Sequence, residues 1–496
     1  MSKIYSNSRT IMDAKMDAFP YQTQAFLTIK DLPYSAIFHE QGLGKTKIAI
    51  DLMLYWLTNK GIDTVLVVTK KQLVQNWVEE FSAHSYIVPK VLSTNKRDNF
   101  YVFNSPAKAV ITNFETISAE KMRMRLFLST RDVAIIIDES TKLKNPDAQI
   151  TKDLCELSDL FKIRTIMTGT PVANRPYDIW AQIYFLDHGN SLGTDFAEFK
   201  RSTNLNNDLG KNKEAREQFE QAVSGIFEKI APFSVRETKK TASLDLPQKR
   251  YVTVKTTFAP KQFDMYKQIL NELEIEVSQN NESFLDDDSV ALKRLLRLNQ
   301  ITSNPKLIDD NYEEESAKEK KLTELLDTIV KRGEKCIVWS NYIDNIEYFA
   351  EKYETYKPRK IHGSMDMSER SKSVSVFKKD EECRVLFATP QAAKEGLTLT
   401  VANNVIFYDR GFNLDDYLQA QDRIHRISQK KQCNVYNIIV EGSIDEWIDR
   451  LLDAKQYAAF LAQGDIDLNI YREKVDYSYG DIIKEILQAG EETYGC

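Results

Sequence analysis

Short apolar runs, each followed by polar or turn residues and then by a segment with helical spacing, recur along two separate stretches of this chain. The first series comprises Ser35–Phe38, Thr64–Val68, Ala109–Thr112, Ala134–Ile137 and Thr165–Met167. The second comprises Cys336–Trp339, Arg384–Ala388, Val405–Tyr408 and Val435–Val440. Runs that stay apolar without alternating suit strands covered on both faces, and the helical segments between them supply the crossovers that join parallel strands. The pattern predicts an α/β fold with two parallel sheets flanked by helices.

From about Tyr177 to Glu319 the pattern changes. GKNKEAREQFEQAVSGIFEKI and APKQFDMYKQILNELEIEVSQ are long and charged at helical spacing, which predicts helical inserts. NNESFLDDDS is acidic and turn-rich, and DDNYEEESAKEKK carries blocks of both charges; both read as surface loops, the second as a connector between the halves. The expected organisation is an N-terminal segment over 1–18, a first lobe over 19–235 with its insert from about 177, a helical insert and linker over 236–320, a second lobe over 321–460 and a helical tail over 461–496.

Bulk properties narrow the class. A chain of 496 residues is long enough for two domains with separate cores, and 42% hydrophobic with 28% charged residues describes a soluble globular protein. No apolar run approaches the roughly 20 residues of a membrane span. The polar start MSKIYSNSRTIMDAKMDAF lacks the apolar centre of a secretion signal, so the expected location is the reducing cytoplasm of a bacterial or phage-infected cell. Cys155, Cys336, Cys383, Cys433 and Cys496 form no CxxC pair, which argues against a disulfide framework or a zinc site; Cys336 and Cys383 adjoin apolar runs and read as core. A net charge of −6 excludes a whole-surface polyanion binder, so phosphate contacts must be concentrated in a groove.

The chemistry begins at His39-Glu40-Gln41-Gly42-Leu43-Gly44-Lys45-Thr46, between the apolar run SAIF and the helix-like KIAIDLMLYWL. A strand, a glycine loop and a helix start aim backbone N–H groups at a phosphate, with Lys45 reaching the β/γ-phosphates and the Thr46 hydroxyl holding Mg²⁺. Ile135-Ile136-Ile137-Asp138-Glu139 is an apolar strand ending in two carboxylates, suited to holding Mg²⁺ through Asp138 and polarising the attacking water through Glu139. Gln22, one helix upstream, has an amide able to read an adenine edge. The expected cofactors are ATP and Mg²⁺.

With these residues placed, the chain resembles the Swi/Snf-type DNA translocases of helicase superfamily two from about Phe19 to Leu452. PYQTQAF is similar to the family's adenine motif, HEQGLGKT to its DEMGLGKT loop, DESTKLKN to DEAHRIKN and MTGTPVANRPYDIWAQIYFL to its LTGTPLQN segment. APFSVRETKKTASLDLPQK and LRLNQITSNPKLI have counterparts near the inter-lobe region, and IHGSMDMSER, ATPQAAKEGLTLT, FYDRGFN and QAQDRIHRISQ in the second lobe. His39 replaces an aspartate, and Ser140 and Thr141 replace the AH of DEAH, which alters a link between ATP state and the TGT motif.

The resemblance implies two RecA-like lobes, duplex DNA as the track, and translocation as the output. It also implies nucleotide contacts from Gln22, Gln41, Gly42, Leu43, Gly44, Lys45, Thr46, Gly396 and Gln419. Arg423 and Arg426, at i and i+3 on an expected helix, would act as arginine fingers; with Lys45, Asp138 and Glu139 they complete the expected catalytic set. Lys70, Lys71, Thr112, Asn113, Asn341, His362, Ser364, Thr389 and Thr398 fall at expected strand ends as candidate backbone-phosphate contacts that ignore sequence. Trp56, Trp180, Trp339 and Trp447 read as core; Trp77 is the best candidate for stacking, though it too has a packing role. A strand-separating DNA or RNA helicase of the same superfamily, acting on single strands or RNA, shares these ATP residues, and a non-catalytic ATP-dependent clamp is the alternative outside catalysis. Protein partner subunits are compatible with the sequence; a membrane is not expected.

Overall fold

The computed structural model describes residues 11–172, 174–204, 213–242, 246–279, 290–392, 397–426 and 428–475. NNESFLDDDS, Gly396 and most of the expected C-terminal tail lie outside the described residues. The chain forms two compact units, Met1–Ser202 with Gly225–Leu244, and Thr203–Ser224 with Asp245–Cys496.

The first unit holds β1 (Tyr34–Ile37), β2 (Thr64–Thr69), β3 (Lys90–Val91), β4 (Ala109–Asn113), β5 (Val133–Asp138), β6 (Ile163–Met167) and β7 (Ser234–Val235). They form one parallel sheet in the order β3-β4-β2-β5-β6-β1-β7. Every residue of β2, β4 and β5 is buried, as strands covered on both faces must be. One face packs against Ile48, Leu52, Met53 and Trp56 of the helix Lys45–Asn59 and against Trp77 and Phe81 of the helix Val74–His84. Burial of each large aliphatic side chain contributes about 1.5–3 kcal/mol.

The second unit holds β8 (Lys249–Thr256), β9 (Cys336–Trp339), β10 (Arg359–Ile361), β11 (Val385–Ala388), β12 (Asn404–Phe407) and β13 (Cys433–Val440), parallel in the order β10-β11-β9-β12-β13-β8. Strand β8 corrects the reading of 236–320 as helix and linker. Among the described residues it is an edge strand paired with β13 alone, and its sequence KRYVTVKT alternates half-buried and exposed residues, so it lacks the continuous apolar run that marked the others. The charged stretch DDNYEEESAKEKK also departs from its reading as a connector, because it lies inside the second unit. Ser316 and Glu319 form a capping box that starts the helix Ala317–Lys331, and the fully buried Lys318 pairs with Asp445 at 2.8 Å. Cys336, Cys383 and Cys433 are buried and Cys155 is half-buried, all free thiols. Among the described residues no helix is long and apolar enough to cross a membrane.

Candidate nucleotide site

Strands β2, β5, β6 and β1 are consecutive neighbours and parallel, so the residues that follow them, Lys70, Glu139, Thr168 and Phe38, emerge on one edge of the sheet. This is the edge where open parallel sheets place ligands.

After β1 the loop bends through Gly42 at φ 86° and Gly44 at φ 68°, and the helix Lys45–Asn59 starts directly behind it. A glycine loop running into a helix start is the local arrangement that favours an anion. Lys45 Nζ donates to the carbonyls of His39 (2.9 Å) and Glu40 (3.3 Å), and Thr46 stands half-buried beside it. Burial first, then the Lys45 ammonium, pull the His39 imidazole down to about 3, so the residue in place of the family aspartate is neutral.

Gln22 is buried under this loop. Its Oε1 accepts from Phe19 N (3.0 Å) and its Nε2 donates to Leu43 O (3.1 Å), while Tyr21 Oη donates to the same carbonyl (3.0 Å). The amide expected to read adenine therefore holds the loop. A Cβ on Gly44 would collide with Gln22 Nε2, so this glycine is required both by its φ and by the close approach.

The loop is also braced from β7, a contact the sequence pattern did not reveal. Phe38 N donates to Val235 O and Glu40 N to Glu237 O, both at 2.8 Å, and Arg236 Nη1 donates to Phe38 O at 2.7 Å. The Glu40 carboxylate accepts from Lys239 N at 2.8 Å and pairs with Lys239 Nζ at 3.4 Å. Gln41 lies against Gly169 of the TGT motif, where an added Cβ would meet its Cγ at 2.7 Å.

Asp138 ends β5. Its Oδ2 accepts from Trp77 Nε1 (2.9 Å) and Thr69 Oγ1 (3.2 Å), and its Oδ1 accepts from Glu139 N (2.9 Å). Burial first, then the neighbouring Glu139 charge, hold its carboxyl above the ordinary range, against the pull of Trp77 and Lys45. Trp77 is thus buried and engaged with the carboxylate, not free to stack on a base; Trp56, Trp180, Trp339 and Trp447 are buried as read from the sequence. Glu139 adopts the left-handed conformation at φ 53°, unusual for a non-glycine residue, and its Oε2 is buried without a hydrogen-bond partner. Asp138 and Thr46 supply hard oxygen donors, the chemistry Mg²⁺ takes. Among the described residues no group of three or more His, Cys, Asp or Glu could hold a metal ion.

In the second unit the helix Leu414–Gln421 stops before the two arginines, which follow it in turns rather than sharing its face. Past the helix end, Leu399 N donates to the Arg423 carbonyl (2.9 Å) and Lys249 Nζ pairs with Asp422 (2.7 Å). Arg423 is buried, donating to Leu397 O (3.4 Å) and Gln419 Oε1 (3.5 Å); Arg426 Nη1 donates to Thr398 Oγ1 (2.7 Å). Both guanidiniums thus engage the same segment of the GLTLT stretch. Gln419, expected at the nucleotide, is buried and fixed by donating to Asp415 Oδ1 (2.8 Å).

The candidate track residues divide by exposure. Lys71 and Ser364 are exposed, and Asn341 is exposed with its amide donating to the buried Asp409 (2.9 Å). Lys70 is partly exposed and pairs with Glu139 at 3.7 Å. Thr112, Asn113, His362 and Thr389 are buried. Thr112 lies within the buried strand β4, Asn113 Oδ1 caps the next helix by accepting from Thr116 N (2.9 Å), and His362 Nε2 lies 2.6 Å from Glu347, so in this structure these three serve packing or capping.

A glycine loop after β1 and a carboxylate pair at the end of β5, in the first of two parallel α/β units, define the P-loop nucleotide-binding class of fold. The sequence matches the family model described as SNF2-related domain over residues 34–307 and that of the helicase conserved C-terminal domain over 317–428. The chain belongs to the SNF2-related family. It is 27% identical over 432 residues to an uncharacterized ATP-dependent helicase of Mycoplasma pneumoniae, covering 84% of this chain and 39% of that protein. It is 26% identical over 459 residues to the putative ATP-dependent helicase/translocase YwqA of Bacillus subtilis, covering 88% and 48%. With the ISWI chromatin-remodeling complex ATPase ISW1 of Saccharomyces cerevisiae it shares 25% identity, covering 86% and 39%. The chain therefore spans less than half the length of these curated relatives. Among solved structures it matches the Sulfolobus solfataricus SWI2/SNF2 ATPase core in complex with dsDNA, at 24% identity, TM-score 0.43, covering 94% of this chain and 98% of that one.

Proposed function

We propose that this chain is an ATP hydrolase that moves along duplex DNA and remodels DNA or protein–DNA complexes without separating the strands. The observation that carries the reading is the Glu139 carboxylate oxygen, buried and without a hydrogen bond, beside Asp138 on the edge of the sheet that also presents the Lys45 loop. A carboxylate in that setting is suited to take a hydrogen bond from the water that attacks the γ-phosphate.

In this reading Lys45 exchanges the His39 and Glu40 carbonyls for the β/γ-phosphates of ATP, and the N–H groups from Gln41 to Thr46 cradle them. Gln22 acts by holding the loop as much as by touching adenine. Thr46 and Asp138 would hold Mg²⁺, which supplies charge neutralisation on the phosphates. Glu139 orients the water, and Arg423 and Arg426 neutralise charge that develops on the γ-phosphate, a role worth about 10³–10⁵ in rate for arginine fingers. Gly396 and Gln419 remain nucleotide-side residues in this assignment. Lys70, Lys71, Asn341, Ser364 and Thr398 are the proposed contacts to the DNA backbone. The relatives named as helicases, a translocase and a remodelling ATPase support the reading through family membership.

The test measures ATPase rate with no polymer, single-stranded DNA, duplex DNA and duplex RNA at one stated salt concentration, together with strand release from blunt and tailed duplexes. Duplex-stimulated hydrolysis without strand release is expected. Strand release would make the protein an unwinding helicase, ATP-dependent DNA binding with no hydrolysis in any arm would make it a clamp, and a Glu139→Gln variant with unchanged ATPase would take Glu139 out of the mechanism.

A further inference from the structure

The register between β2 and β5 pairs Val68 with Ile137. One residue on, Thr69 donates to Asp138; one further, Lys70 faces Glu139, Nζ to Oε2 at 3.7 Å. The ladder thus delivers a lysine to the water-orienting glutamate. The separation is too long for a hydrogen bond, and the Glu139 oxygen that faces Lys70 is the one that is buried without a hydrogen-bond partner. Glu139 has little freedom of its own, since its left-handed backbone is fixed by its N–H donating to Asp138 and its carbonyl accepting from Lys142 N at 3.0 Å. The Lys70 ammonium differs in kind: its stem is flexible and the side chain keeps 23% of its surface open, against 15% for Glu139.

From this geometry we infer that Lys70 is a positioning residue that restrains Glu139 until a polyanion takes it. Without DNA the ammonium engages the carboxylate and draws it away from the water. A phosphate of the duplex backbone, a stronger partner for an accessible ammonium than one carboxylate oxygen at 3.7 Å, takes Lys70, and Glu139 is released to the water. No covalent step is involved. The consequence is that stimulation of ATP hydrolysis by DNA passes through one side chain on the sheet edge. The inference rests on the proposed hydrolase reading, in which Glu139 orients the water.

The test compares wild type, Lys70→Ala and Lys70→Arg by ATPase rate without polymer and at saturating duplex DNA, with thermal melts as the control for folding. Lys70→Ala is expected to raise the polymer-free rate about fivefold, the scale of one lost partly exposed ion pair, while the ratio of stimulated to polymer-free rate falls by a similar factor. Lys70→Arg, which keeps the cation, is expected to keep a low polymer-free rate. A Lys70→Ala protein that melts normally, keeps the wild-type polymer-free rate and only needs more DNA for half-maximal stimulation overturns the inference, because Lys70 is then a phosphate contact and nothing else. A Lys70→Ala melt well below wild type moves the decision to Lys70→Gln, with the same two readings. If wild type responds to no polymer, the DNA-tracking function fails instead, and the polymer-free rates of the variants still decide whether Lys70 restrains Glu139.

Discussion

Ser140 donates to Gln182 Oε1 at 2.7 Å, and the same amide donates from Nε2 to Pro171 O at 2.8 Å. This chain of two bonds joins the residue after the Asp138–Glu139 pair to the residue after the TGT motif. All three residues are buried, so the link has no access to water. Gln182→Ala leaves a hydroxyl and a carbonyl unpaired and is expected to destabilise the first unit by about 1–3 kcal/mol. Ser140→Ala leaves Gln182 Oε1 without its donor in the core and should melt below wild type but stay folded, while the ratio of duplex-stimulated to polymer-free ATPase falls. Denaturant titration of the first variant and paired ATPase assays of the second check both; an unchanged ratio in Ser140→Ala takes the link out of the proposed ATPase cycle.

Gly44→Ala is expected to abolish nucleotide binding. The left-handed φ of 68° costs a non-glycine residue about 1–2 kcal/mol, and the added methyl is forced into Gln22 Nε2, the group that holds the loop through Leu43. Gln22→Ala removes the obstruction along with the brace, so the double variant should regain stability but not affinity. Nucleotide titration and thermal melts of both separate the two effects.

How far the sequence was legible depended on what each residue faces. Buried strands such as Thr64–Thr69 and Val133–Asp138 announced themselves because both faces are covered, whereas Lys249–Thr256 did not, because an edge strand needs polar residues on its open side. The loop from Gly42 to Thr46 and the pair Asp138–Glu139 were readable because their chemistry is local in sequence. Trp77 and the Glu40–Lys239 pair were not: an indole N–H 61 residues from Asp138 and a lysine 199 residues from Glu40 reach the site only through the sheet order. Asn113 and Thr112 show the converse, since a polar residue at a strand end serves a helix cap or a buried strand as well as a ligand.

Asp445→Ala is expected to be among the most destabilising changes in the second unit. Its carboxylate pairs with the fully buried Lys318 at 2.8 Å and accepts from Val440 N at 2.9 Å. Removing it strands an ammonium in the core, a loss of about 3–5 kcal/mol, whereas replacing both partners, with Lys318→Met added, should recover much of it. Denaturant midpoints of the single and double variants give the coupling. A single variant within about 0.5 kcal/mol of wild type, the range of ordinary surface changes, would contradict the burial of the pair.

The dependence of hydrolysis on Mg²⁺ should change with pH in a direction set by Asp138. Burial and Glu139 raise its carboxyl, so a proton would compete with the proposed Mg²⁺ for its oxygens at a pH above the ordinary carboxylate range. The Mg²⁺ concentration for half-maximal ATPase is therefore expected to rise as pH is lowered from about 8 to about 6, because the protonated carboxyl does not bind the ion. Trp77 donates to Asp138 Oδ2 and favours its charged form. Trp77→Phe keeps most of the buried ring while losing that N–H, so the carboxyl rises further and the increased Mg²⁺ requirement should begin at higher pH than in wild type. Mg²⁺ titrations of ATPase at a series of pH values, run on both proteins, check the shift; coincident curves would mean that the indole N–H does not tune the carboxylate.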